Sequence, residues 1–319
     1  MIEASLLRDL DETAAPQDYI AAARADYRRL LTALYAEGYY SGTISITVDG
    51  VEAANIAPLA APSVITQVVI RVTPGPRFTF GDVAITPLPP QTTISQDLGP
   101  RQPAASGQIG RAVSAGINSW RDLGYATARV TNQSIVARHS DEKLNVSITL
   151  DPGPRLSFGE LQVSGSENVS DNRIRQIAGL PTGEVYAPAE VAAAERRLRR
   201  TGTFESVSLT ESEVIGPDNT LPIKALLSEA KPRRIGFGLE LSSIEGLTVS
   251  TFWLHRNFLG GAERLRVDAE VAGIGGETGG LDYRLGGNFT RPATFGADTE
   301  YFLIGEISRE DEPEYLLDK

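Results

Sequence analysis

Side chains that could perform covalent or metal chemistry are scarce in this sequence. The chain has 319 residues, no cysteine and two histidines, His139 and His255. Without cysteine there is no thiolate ligand or thiol nucleophile, and two scattered histidines form neither a zinc site nor a Ser-His-Asp arrangement. We therefore expect no catalytic residue, no metal and no cofactor, and we expect His255 to lie at a strand end.

Motif and composition also argue against nucleotide binding and nucleic-acid binding. The glycine-rich run GIGGETGG at residues 273–280 lacks the Gly-Lys-Ser/Thr of a phosphate-binding loop, so we interpret it as a hairpin connection. The net charge is −11, whereas nucleic-acid surfaces usually need a basic patch. Hydrophobic residues make up 41% and charged residues 22%, which is typical of a folded protein.

The chemistry that remains is backbone hydrogen bonding at strand edges. The strands belong to a sequence repeat. The sequence TPGPRFTFGDV at 73–83 returns as DPGPRLSFGEL at 151–161, and a third variant, KPRRIGFGLEL, begins at 231. The prolines Pro76, Pro154 and Pro232 are spaced by 78 residues. A repeat of this period predicts an array of small modules, each with its own core.

Each module has a helix that ends at a glycine and is followed by two strand-like segments. The predicted helices are Pro16–Glu37, Ser106–Leu123 and one beginning near Pro188. A further short helix is predicted around 168–180, with Ser170 as its N-cap and Gly179 as its end. The complete pattern is strand, helix, helix, strand, strand. It predicts module 1 at 1–75 (lacking its first strand, so incomplete at the N-terminus), module 2 at 76–153 and module 3 at 154–232.

Helix signals stop after residue 233, and strict alternation of apolar and charged residues begins. Leu265, Val267, Ala269 and Val271 alternate with charged neighbours, for example. We predict about five long strands in 233–319. Strands with one apolar and one charged face suit the wall of a transmembrane β-barrel, although a soluble sandwich shows the same alternation. Five strands cannot close a barrel, so this domain is expected to be incomplete. No signal peptide and no apolar run long enough for a spanning helix is visible.

These features together resemble the outer-membrane barrel assembly superfamily. The modules resemble polypeptide-transport-associated (POTRA) domains, and the most specific segment is WLHRNFLGGAERLR at 253–266. Three modules directly before the barrel are most similar to the outer-membrane subunit of the translocation and assembly module. The resemblance implies an α+β array of POTRA modules in the periplasm, followed by the first strands of an antiparallel barrel in the outer membrane.

The resemblance also implies a function and partners. We expect an assembly and insertion factor for outer-membrane proteins, autotransporters in particular, which contacts outer-membrane lipid and works with a large inner-membrane-anchored partner. The predicted clients are unfolded outer-membrane chains, and no nucleic acid is involved. The rival interpretations are a two-partner secretion transporter and, from another class, a soluble multi-domain adhesin or scaffold.

Four groups of residues are predicted to carry this function. An exposed sheet edge can accept an extended client by β-augmentation, and the first barrel strand can form a seam that opens sideways. A basic group at the membrane rim suits anionic headgroups, and Pro-Gly-Pro corners join the modules. The client-binding edge is Thr203, Phe204, Glu205, Ser206, Val207, Ser208 and Leu209; the seam strand is Arg234, Ile235, Gly236, Phe237, Gly238, Leu239, Glu240 and Leu241; the rim residues are Lys231, Arg233 and Arg234; the joints are Pro74, Gly75, Pro76, Pro152, Gly153 and Pro154.

Two further groups have a simpler interpretation. Arg196, Arg197, Arg199 and Arg200 fall at the end of a predicted helix, where cations interact favourably with the helix dipole. Gly236 and Gly238 either weaken the pairing of the seam strand or allow sharp barrel curvature.

Overall fold

A computed structural model describes residues 2–11, 13–57, 62–276, 280–312 and 315–318. The chain forms two compact units, Met1–Gly153 and Pro154–Lys319. No helix among the described residues is long and apolar enough to cross a membrane.

Module 1 is a helix packed on a small antiparallel sheet in the order β2-β1-β3. The predicted helix is confirmed: it begins at Pro16, and Gly38 follows its end with a φ of +89°. Its apolar stripe packs Ile20, Ala23 and Leu30 on the sheet. The elements are α1 Pro16–Ala36, β1 Thr43–Val48, β2 Val51–Glu52 and β3 Val68–Thr73, with short 3₁₀ turns at Ile2–Ala4, Leu7–Asp9 and Ala53–Asn55.

Two details of module 1 differ from the sequence prediction. The sequence VITQVVIRV predicts a strand from Val64, but β3 begins only at Val68. The sequence VEAANIAPLAAP at 51–62 predicts a plain loop, but it begins with the two-residue strand β2 and a 3₁₀ turn, because the Asp49-Gly50 hairpin turn brings β2 onto β1. Residues 58–61 of that loop lie outside the described residues.

Module 2 has a three-stranded sheet in the order β4-β6-β5, with β4 parallel to β6. Its core contains Phe78, Phe80, Ile109 and Leu144, which lie between α2 and the sheet. The elements are β4 Thr79–Thr86, α2 Ser106–Asp122, β5 Arg129–Arg138 and β6 Lys143–Asp151, with a 3₁₀ turn at Gln96–Leu98.

The prediction of two helices per module is wrong for module 2. Where module 3 has a short α-helix, module 2 has only the 3₁₀ turn Gln96–Leu98. The segment 87–103 contains five prolines, which lack the backbone N–H that a helix interior needs. Only the second helix of the pattern, α2, therefore forms.

Module 3 is the complete version, with two helices on a sheet in the order β7-β9-β8. The predicted caps are confirmed: Ser170 Oγ accepts a hydrogen bond from Arg173 N, and Gly179 ends the helix with a φ of +59°. Ile174 and Ile177 on this helix are buried against the sheet. The elements are β7 Ser157–Ser164, α3 Asp171–Ala178, α4 Pro188–Arg200, β8 Phe204–Glu211 and β9 Thr220–Glu229, with a 3₁₀ turn at Pro217–Asn219.

The remainder of the second unit is a six-stranded antiparallel sheet in which each strand pairs with the next in sequence. The prediction of about five strands missed the last. The acidic sequence SREDEPEY at 308–315 predicts an outer loop, but the structure assigns it to β14 as far as Glu312. This segment extends as a strand because Arg309 to Glu312 find backbone partners on the sixth strand. The strands are β10 Arg233–Ser242, β11 Gly246–His255, β12 Arg264–Ile274, β13 Asp282–Pro292, β14 Glu300–Glu312 and β15 Tyr315–Asp318.

The register of this sheet separates an apolar face from a charged face. Ile235, Trp253 and Val267 are aligned across β10, β11 and β12, and Phe237 and Leu239 on the same face are 83% and 76% exposed. Apolar side chains left this open are what lipid contact requires. The charged face lies opposite and carries Arg266, Asp268, Glu270, Arg284 and Glu306.

Candidate functional site

The predicted client-binding strand lies at an edge of its sheet. β8 pairs with β9 on one side, and among the described residues no strand pairs with its other side. Ser212 N donates to Pro222 O at 2.9 Å, so Ser212 directs its backbone groups to β9. In an antiparallel ladder, residues whose backbone groups bond the neighbouring strand alternate with residues whose backbone groups face away from it. Counting back from Ser212, Ser208 and Ser206 direct their backbone groups to β9, whereas Val207 and Leu209 direct theirs to the open edge.

The side chains of this predicted group divide into three kinds. Phe204, Val207 and Leu209 are buried under the helices, while 205, 206 and 208 are exposed. Thr203 precedes the strand, and its buried hydroxyl donates to Arg256 O at 2.8 Å. The edge therefore offers outward backbone groups with small polar side chains on the solvent face, and whether a client binds there stays a prediction.

All residues of the predicted seam lie in β10, the first strand of the six-stranded sheet. β10 pairs with β11 over its whole length, from Arg233 with His255 to Ser242 with Gly246. Within the described part of the chain its other edge has no partner strand. A seam at this edge is therefore possible in geometry, and its opening stays a prediction.

The two seam glycines leave room for specific neighbours on β11. A Cβ at Gly236 would clash with the ring of Phe252, and a Cβ at Gly238 would clash with Ser250 Oγ. The Phe252 ring also lies beneath two guanidinium groups, 4.3 Å from the Cζ of Arg266 and 5.9 Å from that of Arg234. An aromatic ring that covers a strand glycine stabilises the pairing of that strand. Gly236 was predicted either to weaken strand pairing or to allow sharp curvature. The structure favours neither interpretation, because the glycine makes room for the Phe252 ring.

Module 3 contacts the sheet through two turns that sequence reasoning did not single out. Arg173 at the start of α3 donates from Nε to Gly261 O (3.3 Å), in the turn between β11 and β12. Its terminal nitrogens donate to Pro292 O (2.6 Å) and Ala293 O (3.4 Å), in the turn between β13 and β14. One guanidinium thus connects α3 with both turns. Burial lowers the pKa of Arg173, as does the nearby Arg291.

A buried carboxylate completes this junction. Glu263 is 4% exposed, accepts a hydrogen bond from Gly261 N at 2.8 Å and lies 3.6 Å from Arg291 Nε. Asn257 in the same turn donates to Asn168 O at 3.0 Å and accepts from Ala262 N. The segment NFLGGAE at 257–263, part of the stretch 253–266 that carries the resemblance, is therefore the docking surface for module 3.

The arginines that end α4 have different roles in the structure. Their predicted place at the end of a helix is confirmed, because Arg197, Arg199 and Arg200 occupy the last turn of α4. Arg197 also donates to Ala178 O at 3.0 Å and pairs with Asp298 beyond β13. Arg199 donates to Val207 O at 2.9 Å. The Arg197–Asp298 pair has no local sequence signal, because its residues are 101 positions apart.

The predicted rim residues surround the start of β10. Lys231 O accepts from Arg256 Nη1 at 2.9 Å, and Arg233 is aligned with His255 at the strand end predicted for that histidine. Arg233 lies on the apolar face of the sheet, because alternate residues of β10 share a face and Ile235 is apolar. Arg234 lies on the charged face, beside Phe252. Headgroup contact by these residues stays a prediction.

The predicted joints flank the module sheets. Gly75 has a φ of +71° and Gly153 a φ of +68°, conformations that favour glycine, and each lies between two prolines. Pro74, Gly75 and Pro76 lie within the first compact unit, between β3 and β4. Pro152 and Gly153 end that unit and Pro154 begins the next. Their role in holding the modules in order stays a prediction, as do the module boundaries.

Glu229, at the end of β9, is a further structural residue that the sequence did not reveal. Its Oε1 accepts hydrogen bonds from Ser166 Oγ and from the backbone N–H groups of Glu167, Asn168 and Val169, at 2.7–3.1 Å. Although burial alone raises the pKa of a carboxyl, these hydrogen bonds prevail and lower the pKa of Glu229 to about 2. The carboxylate therefore fixes the loop whose Asn168 contacts Asn257.

Comparisons with known proteins agree with this geometry. A family model described as "POTRA: Surface antigen variable number repeat" matches residues 156–229, which is module 3 from β7 to β9. The outer membrane protein assembly factor BamA of Neorickettsia risticii is 24% identical over 220 residues, covering 65% of this chain. Both findings support the predicted resemblance to the outer-membrane barrel assembly superfamily.

The fold comparison adds the sheet to the modules. A crystal structure of BamA from Haemophilus ducreyi lacking POTRA domains 1–3 matches with a TM-score of 0.58 and 20% identity, over 74% of this chain and 43% of that one. CdiB from Escherichia coli has a TM-score of 0.41 and 15% identity, over 93% of this chain and 51% of that one. The first likeness shows the fold; the second is too low to support an argument.

The comparisons bear on two of the predictions. The predicted location, the outer membrane with POTRA modules on the periplasmic side, agrees with the BamA relatives. The narrower assignment to the translocation and assembly module stays a prediction, since the relatives found are of the BamA kind. The chain spans 28% of the length of its N. risticii relative.

Proposed function

We propose that this protein is a non-enzymatic factor that assembles and inserts other outer-membrane proteins. The observation that supports the proposal is a pair of strand edges, within one compact unit, that have no partner strand among the described residues. The edge of β8 lies in the periplasmic module, and the edge of β10 begins the membrane sheet. An unfolded outer-membrane chain needs partners for its backbone N–H and C=O groups before it enters lipid, where an unpaired group is costly. Open edges supply those partners.

The two edges suit successive steps of one process. A client segment first adds to β8 in water, where the exposed polar side chains of that strand keep it soluble. It then pairs with β10, whose apolar face is directed to lipid. Both steps exchange one set of hydrogen bonds for another, so neither needs a nucleotide. The N. risticii relative is named as an outer-membrane protein assembly factor, which accords with this function.

The finer features of the proposal concern clients and partners. We propose that autotransporters are preferred clients, that a large inner-membrane-anchored protein delivers them, and that outer-membrane lipid contacts Lys231 and Arg233. The measurement is the rate at which the protein, expressed from its whole reading frame and placed in lipid vesicles, folds an autotransporter barrel and a barrel of another class. Equal rates with both clients would remove the autotransporter preference.

Alternation of the β8 backbone gives a sharp test of the main proposal. Val207→Pro removes an N–H that faces the open edge and leaves the ladder with β9 in place. Val207→Ala is the matched control, because it loses the same buried side chain and keeps the N–H. We expect Val207→Pro to slow client insertion at least severalfold relative to Val207→Ala. Equal insertion by the two variants, both folded, would show that β8 does not receive clients.

A further inference from the structure

The open edge of β8 already carries a hydrogen bond from a side chain. Arg199 on α4 donates from Nη2 to Val207 O at 2.9 Å, and Val207 is one of the positions whose backbone groups face outward. The same nitrogen pairs with Glu195, one helical turn earlier. A guanidinium therefore covers an acceptor that a docking strand would use.

This cover is easily displaced. The Arg199 side chain is 62% exposed, and ion pairs and hydrogen bonds at such positions contribute little because water competes for both partners. A docking strand brings its own backbone N–H to Val207 O. That N–H takes the place of the guanidinium, which remains beside the new strand because α4 holds its backbone.

The charge that surrounds the displaced guanidinium determines which strand is favoured. Arg196 and Arg200 are exposed on the same turn of α4, and Glu195 is the acidic neighbour that faces Arg199 from the helix. A docking residue opposite Val207 places its side chain on the face of the sheet that Val207 occupies, which is the helix side. An acidic side chain at that position comes within reach of the Arg199 guanidinium, which contacts Val207 O.

We propose that Arg199 makes β8 selective for client strands that carry a carboxylate at the position opposite Val207. In the empty state Arg199 caps the edge, and in the bound state it pairs with the client carboxylate. The inference rests on the proposed function, because it requires that client strands dock on β8. It adds the chemistry of the client that is preferred there.

The test uses two blocked peptides of about ten residues, the length of a strand, that alternate Val and Thr and differ by a central Glu or Gln. Binding to the whole protein is measured by fluorescence anisotropy. We expect the Glu peptide to bind about fivefold more tightly at low salt, the upper range for a solvent-exposed ion pair, with the preference shrinking as salt rises. Arg199→Ala should abolish the preference and strengthen binding of the Gln peptide. Arg196→Ala, which removes the same charge from the same helix, should retain most of it.

The outcomes separate this inference from the proposed function. Equal affinities for the two peptides in the unmodified protein, or a preference that survives Arg199→Ala, would overturn the role of Arg199. If Val207→Pro still abolishes binding in that case, docking on β8 stands and only its selectivity is lost. If Val207→Pro and Val207→Ala bind both peptides alike, docking on β8 and the selectivity fail together.

Discussion

Arg197 and Asp298 form a two-pronged ion pair between module 3 and the six-stranded sheet. Arg197 Nε donates to Oδ1 at 2.7 Å and Nη2 donates to Oδ2 at 2.8 Å, across 101 residues of sequence. The hydrogen bond from Arg197 lowers the pKa of Asp298, so the pair remains charged at neutral pH. Only an arginine presents two parallel donors to a carboxylate in this way.

Breaking this pair should loosen the turn between β13 and β14. We expect Arg197→Ala and Asp298→Ala each to speed amide hydrogen exchange at 294–299, and the swap Arg197→Asp with Asp298→Arg to restore part of the protection. Glu195→Ala, which breaks a pair within α4, is the control and should leave exchange at 294–299 unchanged. Unchanged exchange in Arg197→Ala would mean that this pair does not hold the turn.

Arg173 should be the strongest single contact of the junction. Arg173→Ala leaves carbonyl groups of both turns without their charged donor, which we expect to destabilise docking by about 2 kcal/mol. Arg173→Lys keeps the charge but cannot reach both turns at once, so it should recover less than half of the loss. The measurement is the urea midpoint of module 3 in the membrane-embedded protein. Full recovery with Lys would contradict the two-turn role.

Glu229 should give module 3 a specific dependence on pH. Its folded-state pKa of about 2 lies below the ordinary value, so its stabilising contribution is complete above the unfolded pKa. That contribution is lost as the pH falls from about 4.5 through about 2. Glu229→Gln should lower the urea midpoint at neutral pH and reduce the fall of that midpoint as the pH drops below about 4.5. If the midpoint of Glu229→Gln fell as steeply in acid as that of the unmodified protein, other carboxyls would cause the loss.

The packing of Phe252 over Gly236 should appear as a coupled pair. Gly236→Ala forces its methyl group into the ring and should destabilise the barrel by about 1–3 kcal/mol. In a Phe252→Ala background the same change should be nearly neutral, because the space is free. Gly305→Ala, at a position with open space around it, is the control. The measurement is the temperature at which the folded barrel band disappears on a gel, and additive effects would contradict the contact.

Local chemistry explains what the sequence could predict. Ser170 and Gly179 marked both ends of α3 because capping depends on the residues themselves. The proline corners marked the module period, and the alternation in β12 marked a two-faced strand. The prediction of a first helix in module 2 was wrong, because the repeat pattern was extended across the proline-rich segment 87–103.

The junction could not be predicted because its partners are distant in sequence. Arg173 is separated by 88 residues from Gly261 and by 119 from Pro292, and backbone carbonyls carry no sequence signal. Glu229 has the same difficulty, because its acceptor role depends on a loop 60 residues earlier. For Phe252, only the register of β11 with β10 shows that its ring covers Gly236.

Cysteine cross-linking to β8 tests the central claim most directly, because the chain has no cysteine of its own. Single cysteines at Ser206 and Ser208 would lie one strand spacing, about 4.8 Å, from a docked client, and a control cysteine at Lys224 on β9 would lie about twice as far. During insertion of a client that carries one cysteine in a β-strand, we expect disulfides at 206 and 208 and few at 224. Equal yields at all three positions, or none at 206 and 208, would contradict client pairing with the edge of β8.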